Sequence, residues 1–295
     1  MTPADWPSLQ PQIALAQRLG PPHEAALTAW LAEQDTRRTD PAFARLFSDH
    51  ISLPGIAPGD YAHRLVRSRH GNLLGGIRFY GQDISRPFVE IVAHSFPDLP
   101  SLAACVATEW SPFAPTDLRL LTAEPLPPPA RTDMTIHAAP CGQMSPPDGR
   151  VRLTIPDSPD LAISLVKQRY TDLAETDPTL AANLQPANPE DLRDWHAAGA
   201  LRLILVDNQP VGCLIITDGA VAWLNGDEVM EEVIATHATG QSYAASAQMA
   251  WAAEPGRAPT RLLTGTIDTA NPASRHSAQK AGRPVVLRYV FVPLS

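Results

Sequence analysis

Short apolar blocks separated by turn-forming residues run along the chain in an order that repeats. In the second half, residues 201–206 (Leu-Arg-Leu-Ile-Leu-Val) read as an apolar strand. Asp207-Asn208-Gln209 follows as a turn, and 210–217 as its hairpin partner. A further strand is expected over 229–235. After it come an alanine-rich helix over 242–253, a strand ending at Asp268, and a last helix after Asn271. In the first half, 72–80 and 88–94 read as strands, 99–110 as a helix and 117–122 as a strand. Strand, strand, helix, strand thus occurs twice. The order is consistent with an ancient duplication, although the sequence identity between the halves is poor. Residues 161–199 have helical spacing, broken at Asp177-Pro178 and Asn188-Pro189.

Proline divides the chain. There are 31 prolines among 295 residues, and they cluster. Glu124-Pro125-Leu126-Pro127-Pro128-Pro129 is the stiffest segment, and Ser145-Pro146-Pro147-Asp148-Gly149 is a second break. This spacing predicts an N-terminal domain over 1–130, a linker and crossover over 131–149, and a C-terminal domain over 150–295. Within the crossover, 132–138 reads as a last strand of the first half.

Bulk properties narrow the class. A formal charge of −8 and a pI near 5.5 argue against nucleic acid as the main partner, because a nucleic-acid backbone selects a basic face. No apolar run reaches the ~18 residues that span a bilayer. The start, Met-Thr-Pro-Ala-Asp-Trp, lacks the basic and apolar regions of a signal peptide. A cytoplasmic protein with no membrane partner is therefore expected, as a monomer or homodimer. Cys105, Cys141 and Cys213 lie far apart and outside any CxxC pair, as reduced thiols do. The histidines show no HExxH or similar spacing, so no metal is expected.

The most informative stretch is 229–283. A strand runs into His237-Ala238-Thr239-Gly240-Gln241-Ser242, a turn of small and polar residues at the start of a helix. Such a turn aims backbone N–H groups and the positive helix end at one spot, which suits a phosphate. Gly240 permits a turn geometry and a close approach that a side chain would block. The same residues also read simply as a polar helix start. In the first half His94-Ser95-Phe96-Pro97-Asp98 occupies the equivalent place without a glycine turn, so no phosphate site is expected there.

Two blocks in this stretch resemble the GNAT superfamily of acetyl-CoA-dependent N-acyltransferases, over roughly 151–293. The family's turn after its fourth strand follows Gln/Arg-x-x-Gly-x-Gly/Ala. Here His237, Gly240 and Ser242 stand at those positions, with Thr239 where arginine is usual. The run from Gly265 through Asp268, Asn271 and Ser274, closed by Gln279-Lys280-Ala281-Gly282-Arg283, is similar to the family's fifth strand, Asn-initiated helix and Lys-x-Gly close. The resemblance implies an α+β (mixed α/β) fold of two GNAT-like lobes, the first degenerate. Each lobe would be a central mixed, mostly antiparallel sheet flanked by helices.

It also implies acetyl-CoA as co-substrate and a primary amine of a small molecule or peptide as acceptor. The pyrophosphate would meet backbone donors at Thr239, Gly240, Gln241, Ser242, Tyr243 and Ala244. Ile234, Ala235 and Thr236 would also bind the cofactor, with an oxyanion donor at the N–H of Ile234 or Ala235. Asn271, an N-cap followed by Pro272, would also touch the pantetheine arm, with Ser274 beside it.

Amine attack on a thioester needs a base, an oxyanion donor and a proton for the departing thiolate. Glu231 and Glu232 precede the turn, where relatives carry a base, and strand alternation lets one of them face the cleft. Glu232 is the first choice; a solvated pair is the competing reading. The tyrosine that serves as acid in many relatives falls at Ala278, leaving Ser277, Ser274, His276 or water. Acceptor contacts are expected from Arg169, Tyr170, Asp172, Asp177 and Trp195, and from Arg78, Tyr80 and Glu90 in the first half.

Gly240-Gln241-Ser242-Tyr243-Ala244 also approximates a hydrolase nucleophile elbow, with Asp268 and His276 in triad order. Too few strands remain after Ser242 for that sheet. A non-catalytic acyl-CoA-binding module and a transferase using another acyl donor are the remaining alternatives.

Overall fold

A computed structural model of the chain describes residues 1–294. The chain opens with α1 (Gln10–Leu19), α2 (Pro21–Thr36) and α3 (Pro41–Ser48). It continues through β1 (Arg64–Ser68), β2 (Gly71–Phe79), β3 (Pro87–His94), α4 (Leu99–Glu109) and β4 (Asp117–Thr122). Next come β5 (Arg131–Pro140), β6 (Arg152–Thr154), α5 (Asp160–Thr176), α6 (Pro178–Ala181) and α7 (Pro189–Ala197). The remainder is β7 (Leu201–Val206), β8 (Gln209–Val221), β9 (Leu224–Ile234), α8 (Tyr243–Ala252), β10 (Leu262–Asp268), α9 (Pro272–Lys280) and β11 (Val285–Pro293).

Two compact units form. One takes residues 1–133 together with the chain from Leu287 onward; the other is Met134–Val286. In the first, the strand order is β1-β2-β3-β4-β11, antiparallel except for the parallel β3/β4 pair. In the second it is β5-β10-β9-β8-β7-β6, antiparallel except for the parallel β9/β10 pair. Each unit is a mixed, mostly antiparallel sheet flanked by helices. In both, a helix connects the one parallel pair, as a parallel crossover requires.

The repeated strand, strand, helix, strand order is therefore real. Residues 132–138 are not a last strand of the first half: β5 pairs along its length with β10 in the second unit, from Met134↔Asp268 to Pro140↔Leu262. Conversely β11, from the end of the chain, pairs with β4. Each unit draws its outer strand from the opposite half of the sequence, which proline-based division cannot detect.

In the second unit two cores cover the two sheet faces. Ala245, Ala247, Met249 and Trp251 of α8 pack with Leu214, Ile216 and Leu263, while Val166 of α5 and Leu192 of α7 pack with Leu203, Cys213, Ile215 and Val233. The small alanines of α8 let its backbone lie close to the strands, as expected for a helix whose successive residues 245–249 are buried. The break residues of 161–199 act as caps: Asp177 accepts from Leu180 N–H at 3.0 Å and Asn188 from Asp191 N–H at 2.8 Å.

The β7–β8 turn is the one expected, with Asp207 and Asn208 both left-handed (φ 49° and 63°). The β8–β9 turn was not legible, because Ala222 takes φ 55° without a glycine or asparagine signal. Consequently β9 begins five residues before the expected strand. One register shift matters most. Val229 faces Ile216, but Glu231 faces Ile215, so Met230 is an extra residue, a β-bulge.

Gly226 lies where β9 first approaches β10. A Cβ there would sit 2.5 Å from the Leu262 carbonyl oxygen. Gly226→Ala is expected to push the two strands apart and cost about 1–3 kcal/mol, the range for overpacking. Urea unfolding of the variant measures this; a midpoint equal to wild type would show that the strands can shift freely.

Candidate functional site

Strands β9 and β10 share two residue pairs, Asp227↔Leu263 and Glu228↔Thr264, and then part. Adjacent parallel strands that diverge at their carboxyl ends leave a crevice, the place where open α/β sheets bind ligands. A cavity of about 200 Å³ opens there. Its walls come from the end of β9 (Glu232, Val233, Ile234), the turn (Ala238 to Ala244), α9 (Asn271, Ser274, Ser277) and α5 (Arg169, Tyr170).

The bulge at Met230 decides which glutamate faces it, since a one-residue slip in a strand exchanges the faces. Glu232 shares a face with Leu214 and lines the cavity; Glu231 shares the opposite face with Ile215. Gln248 of α8 donates from Nε2 to both Glu232 oxygens, at 3.0 and 2.8 Å. Gln248 Oε1 in turn accepts from Arg283 Nε at 3.1 Å. Arg283 is 2% exposed, and its backbone carbonyl accepts from His137 Nδ1 at 3.0 Å. Burial pushes the Glu232 pKa up to about 7, against the opposing pull of Arg283 and the Gln248 hydrogen bond; nearby Glu231 raises it further. Burial likewise brings Arg283 down to about 10.

Glu231 is buried, at 7% exposure, where Glu232 is half-buried. It accepts from Tyr170 Oη at 3.3 Å and from Ala187 N–H at 3.0 Å. Burial raises its pKa too. Neither carboxylate is a solvated strand-edge group.

The turn has the backbone geometry its glycine suggests. Gly240 has φ 77° and Ser242 φ 62°, so the chain makes two left-handed steps before α8 begins. No side chain caps the helix. Among the described residues, no backbone or side-chain group accepts from the N–H of Gly240, Gln241, Ser242, Tyr243 or Ala244. These are orphan donors of a helix start. The Thr239 N–H is different: it donates to the Thr236 carbonyl at 3.3 Å, which removes it from the expected donor set.

Two cations flank the turn. Arg150 Nη1 donates to the Gln241 carbonyl at 2.8 Å and Lys280 Nζ donates to Ser242 Oγ at 2.8 Å. Orphan N–H groups, a helix N-terminus and two cations fit a pyrophosphate.

Of the two expected oxyanion donors, Ala235 is committed to the sheet, donating to the Val211 carbonyl at 2.8 Å. In antiparallel alternation the Ile234 N–H then points away from β8, toward the gap. Asn271 accepts from Ser274 N–H at 3.0 Å as an N-cap and also lines the cavity. Ser274 and Ser277 line it as well, whereas Ala278 is fully buried. Thr236 Oγ1 donates to Asp172, joining the end of β9 to α5. Gln241 is exposed and Thr236 lies outside the cavity.

Other candidates have local partners. Asp177 is a cap, and Trp195 packs against the α5–α7 core. In the first unit Arg78 stacks on Phe43 and Phe47, Tyr80 Oη donates to Asp133 at 3.2 Å, and Glu90 accepts twice from Arg119. The hydrolase triad is not assembled: the Ser242 hydroxyl meets Lys280, and the Asp268 carboxylate accepts from Ala270 N–H at 2.6 Å. Among the described residues no three His, Cys, Asp or Glu side chains gather as a metal site, and no helix is long and apolar enough to cross a membrane.

Gln248, Arg283, Arg150 and Lys280 were not expected at the site. Only the fold brings them there. Lys280 and Arg283 stand within the quoted closing block, but their chemistry was not legible without the α8–α9 packing.

No protein-family model matches the chain, and no curated protein sequence matches it. Solved structures similar to it include an acetyltransferase of the GNAT family from Colwellia psychrerythraea, 10% identical, with a TM-score of 0.46 over 86% of this chain and 95% of that one. A GCN5-related N-acetyltransferase from Sphaerobacter thermophilus is 13% identical, with a TM-score of 0.44 over 81% of each chain. A tandem GNAT protein from the clavulanic acid biosynthesis pathway is 14% identical, with a TM-score of 0.37 over 85% of this chain and 87% of that one. The similarity is one of fold.

Because the folded pKa of Glu232 lies above its ordinary 4.5, its contribution to stability is full below about pH 4.5 and is lost as pH rises through about 7. Glu232→Gln removes that dependence. Its melting temperature is expected to fall less than that of wild type between about pH 5 and pH 8. Equal slopes for the two proteins would mean that the carboxyl titrates normally.

Proposed function

We propose that the second unit is an N-acyltransferase that moves an acetyl group from acetyl-CoA to a primary amine by direct attack in a ternary complex. The observation that carries this reading is a half-buried carboxylate, Glu232, in the same cavity as the turn whose N–H groups at 240–244 are orphans. One end suits a pyrophosphate and the other suits proton removal from an ammonium.

In this reading Glu232 takes a proton as the amine nitrogen bonds to the thioester carbonyl carbon. A pKa near 7 matches that task at neutral pH. The Ile234 N–H donates to the carbonyl oxygen as negative charge grows there. The C–S bond then breaks, and the sulfur takes a proton from Ser277 or from water. Arg283 and Gln248 hold Glu232 in place and keep its pKa from rising further. Arg150 and Lys280 add charge where the phosphates would lie.

The first unit has no comparable arrangement. The Asp98 carboxylate caps α4, accepting from Ser101 N–H at 2.7 Å, so that helix start already holds a negative charge. β3 and β4 stay paired over four residues, Phe88↔Asp117 to Ile91↔Leu120.

Steady-state rates with acetyl-CoA and a panel of primary amines test the assignment. Glu232→Gln is expected to lower kcat by about 10²–10⁴, the usual contribution of a general base. Glu231→Gln is expected to lose far less. In wild type, kcat/KM should rise with pH through about 7. Equal losses in both variants would remove Glu232 from the role of base.

A further inference from the structure

Among the described residues, the charged side chains that line the cavity of about 200 Å³ are Glu232 from β9 and Arg169 from α5. Their surroundings differ. Glu232 is held by Gln248, whereas Arg169 has no hydrogen bond or ion pair to any described residue. Asp172, one turn further along α5, is taken instead by Thr236 Oγ1 and Gln168 Nε2. Arg169 is also half-buried. A guanidinium drawn partly out of water without an acceptor loses hydration that nothing replaces.

The phosphate end has cations of its own. Arg150 and Lys280 bond directly to the turn, and neither lines the cavity. Helix α5 packs on the sheet face opposite α8, so Arg169 reaches the cavity from the side away from the α8 start. It is therefore placed for the acceptor rather than for the phosphates.

A plain amine enters as an ammonium and brings a second positive charge beside Arg169. An amine that carries its own carboxylate supplies the missing acceptor instead. The planar guanidinium takes such a group through two parallel N–H bonds. The cavity must also take the thioester end, so its small volume favours a head group whose two charges lie close together.

We propose that the acceptor is a free amino acid, with its α-carboxylate on Arg169 and its amino group facing Glu232. A peptide N-terminus has given that carboxylate up to the amide bond, and a polyamine never had one. That the amino group is acetylated rests on the transferase reading; that Arg169 holds the carboxylate does not.

The test is acetylation by the full chain of the proteinogenic L-amino acids, beside their amides and their decarboxylated amines. For the side chain that is used best, kcat/KM of the acid is expected to exceed that of the amide and the amine about 10- to 100-fold, the usual worth of hydrogen bonds to a charged group. Arg169→Gln is expected to erase that preference. Arg169→Lys, which keeps the charge but not the paired N–H bonds, is expected to retain part of it. Amides or amines used as well as the acids would overturn the proposal. So would an Arg169→Gln variant that keeps the preference and instead raises KM for acetyl-CoA, which would make Arg169 a phosphate contact.

Calorimetric titration with the same compounds separates this proposal from the transferase reading. Amino acids that bind in preference to their amides, through Arg169, without any acetylation would support the carboxylate site and count against the transferase reading alone. Neither binding nor acetylation of amino acids would overturn the proposal.

Discussion

Parallel strands β9 and β10 hold together through two residue pairs and then separate, and a half-buried carboxylate, Glu232, lines the resulting gap. The cavity at the site depends on that parting. It removes the hydrogen-bond partner that β10 would have offered to the end of β9, so the Ile234 N–H faces a cavity instead of a neighbouring strand. It also lets α8 begin beside the gap, where its first N–H groups have no partner. Had β9 and β10 remained paired to the end of β9, the Ile234 N–H would be committed to β10; the α8 donors are open for a second reason, the lack of a capping side chain such as Asp98 gives α4.

The bulge and the charge network then settle the chemistry. Met230 sets Glu232 toward the cavity and Glu231 toward α5. A buried glutamate is held neutral unless something stabilises its charge, and here Arg283 does so through Gln248. Removing either member would leave a buried charge without compensation, which costs more than the network contributes. The two glutamates thus differ in surroundings: one is clamped by an amide and an arginine, the other by a tyrosine hydroxyl and a backbone N–H. Neighbouring positions on one strand carry different pKa environments because they face different cores.

The elements that carry a local signal were legible in both units. β4 and β7 match their expected bounds, and Asp177 and Asn188 mark helix starts by capping. The three N-terminal helices, β1, β6 and β11 went unread. The exchange of β5 and β11 between halves was invisible, since it is a matter of long-range pairing rather than periodicity. At the site, the turn and both glutamates could be named, with Glu232 first, but alternation gave no ground for that order, because a one-residue bulge leaves no mark in it. Thr239 and Ala235 were plausible donors until their N–H groups were traced to carbonyls three and twenty-four residues away. Arg150 stood at the first position of the expected C-terminal domain, outside any motif, and Gln248 in a helix legible only as alanine-rich.

The most direct test of this account is whether acetyl-CoA raises the melting temperature of the protein, with Gly240→Glu measured beside it. Binding to the folded state alone stabilises by mass action, by about 2.7 kcal/mol at a hundredfold excess over Kd. At φ 77°, Gly240→Glu strains the turn and brings a negative charge to the stretch that carries the orphan N–H groups. The account predicts a clear rise for wild type and none for the variant. No rise in wild type with acetyl-CoA or free CoA, or an equal rise in both proteins, would contradict it.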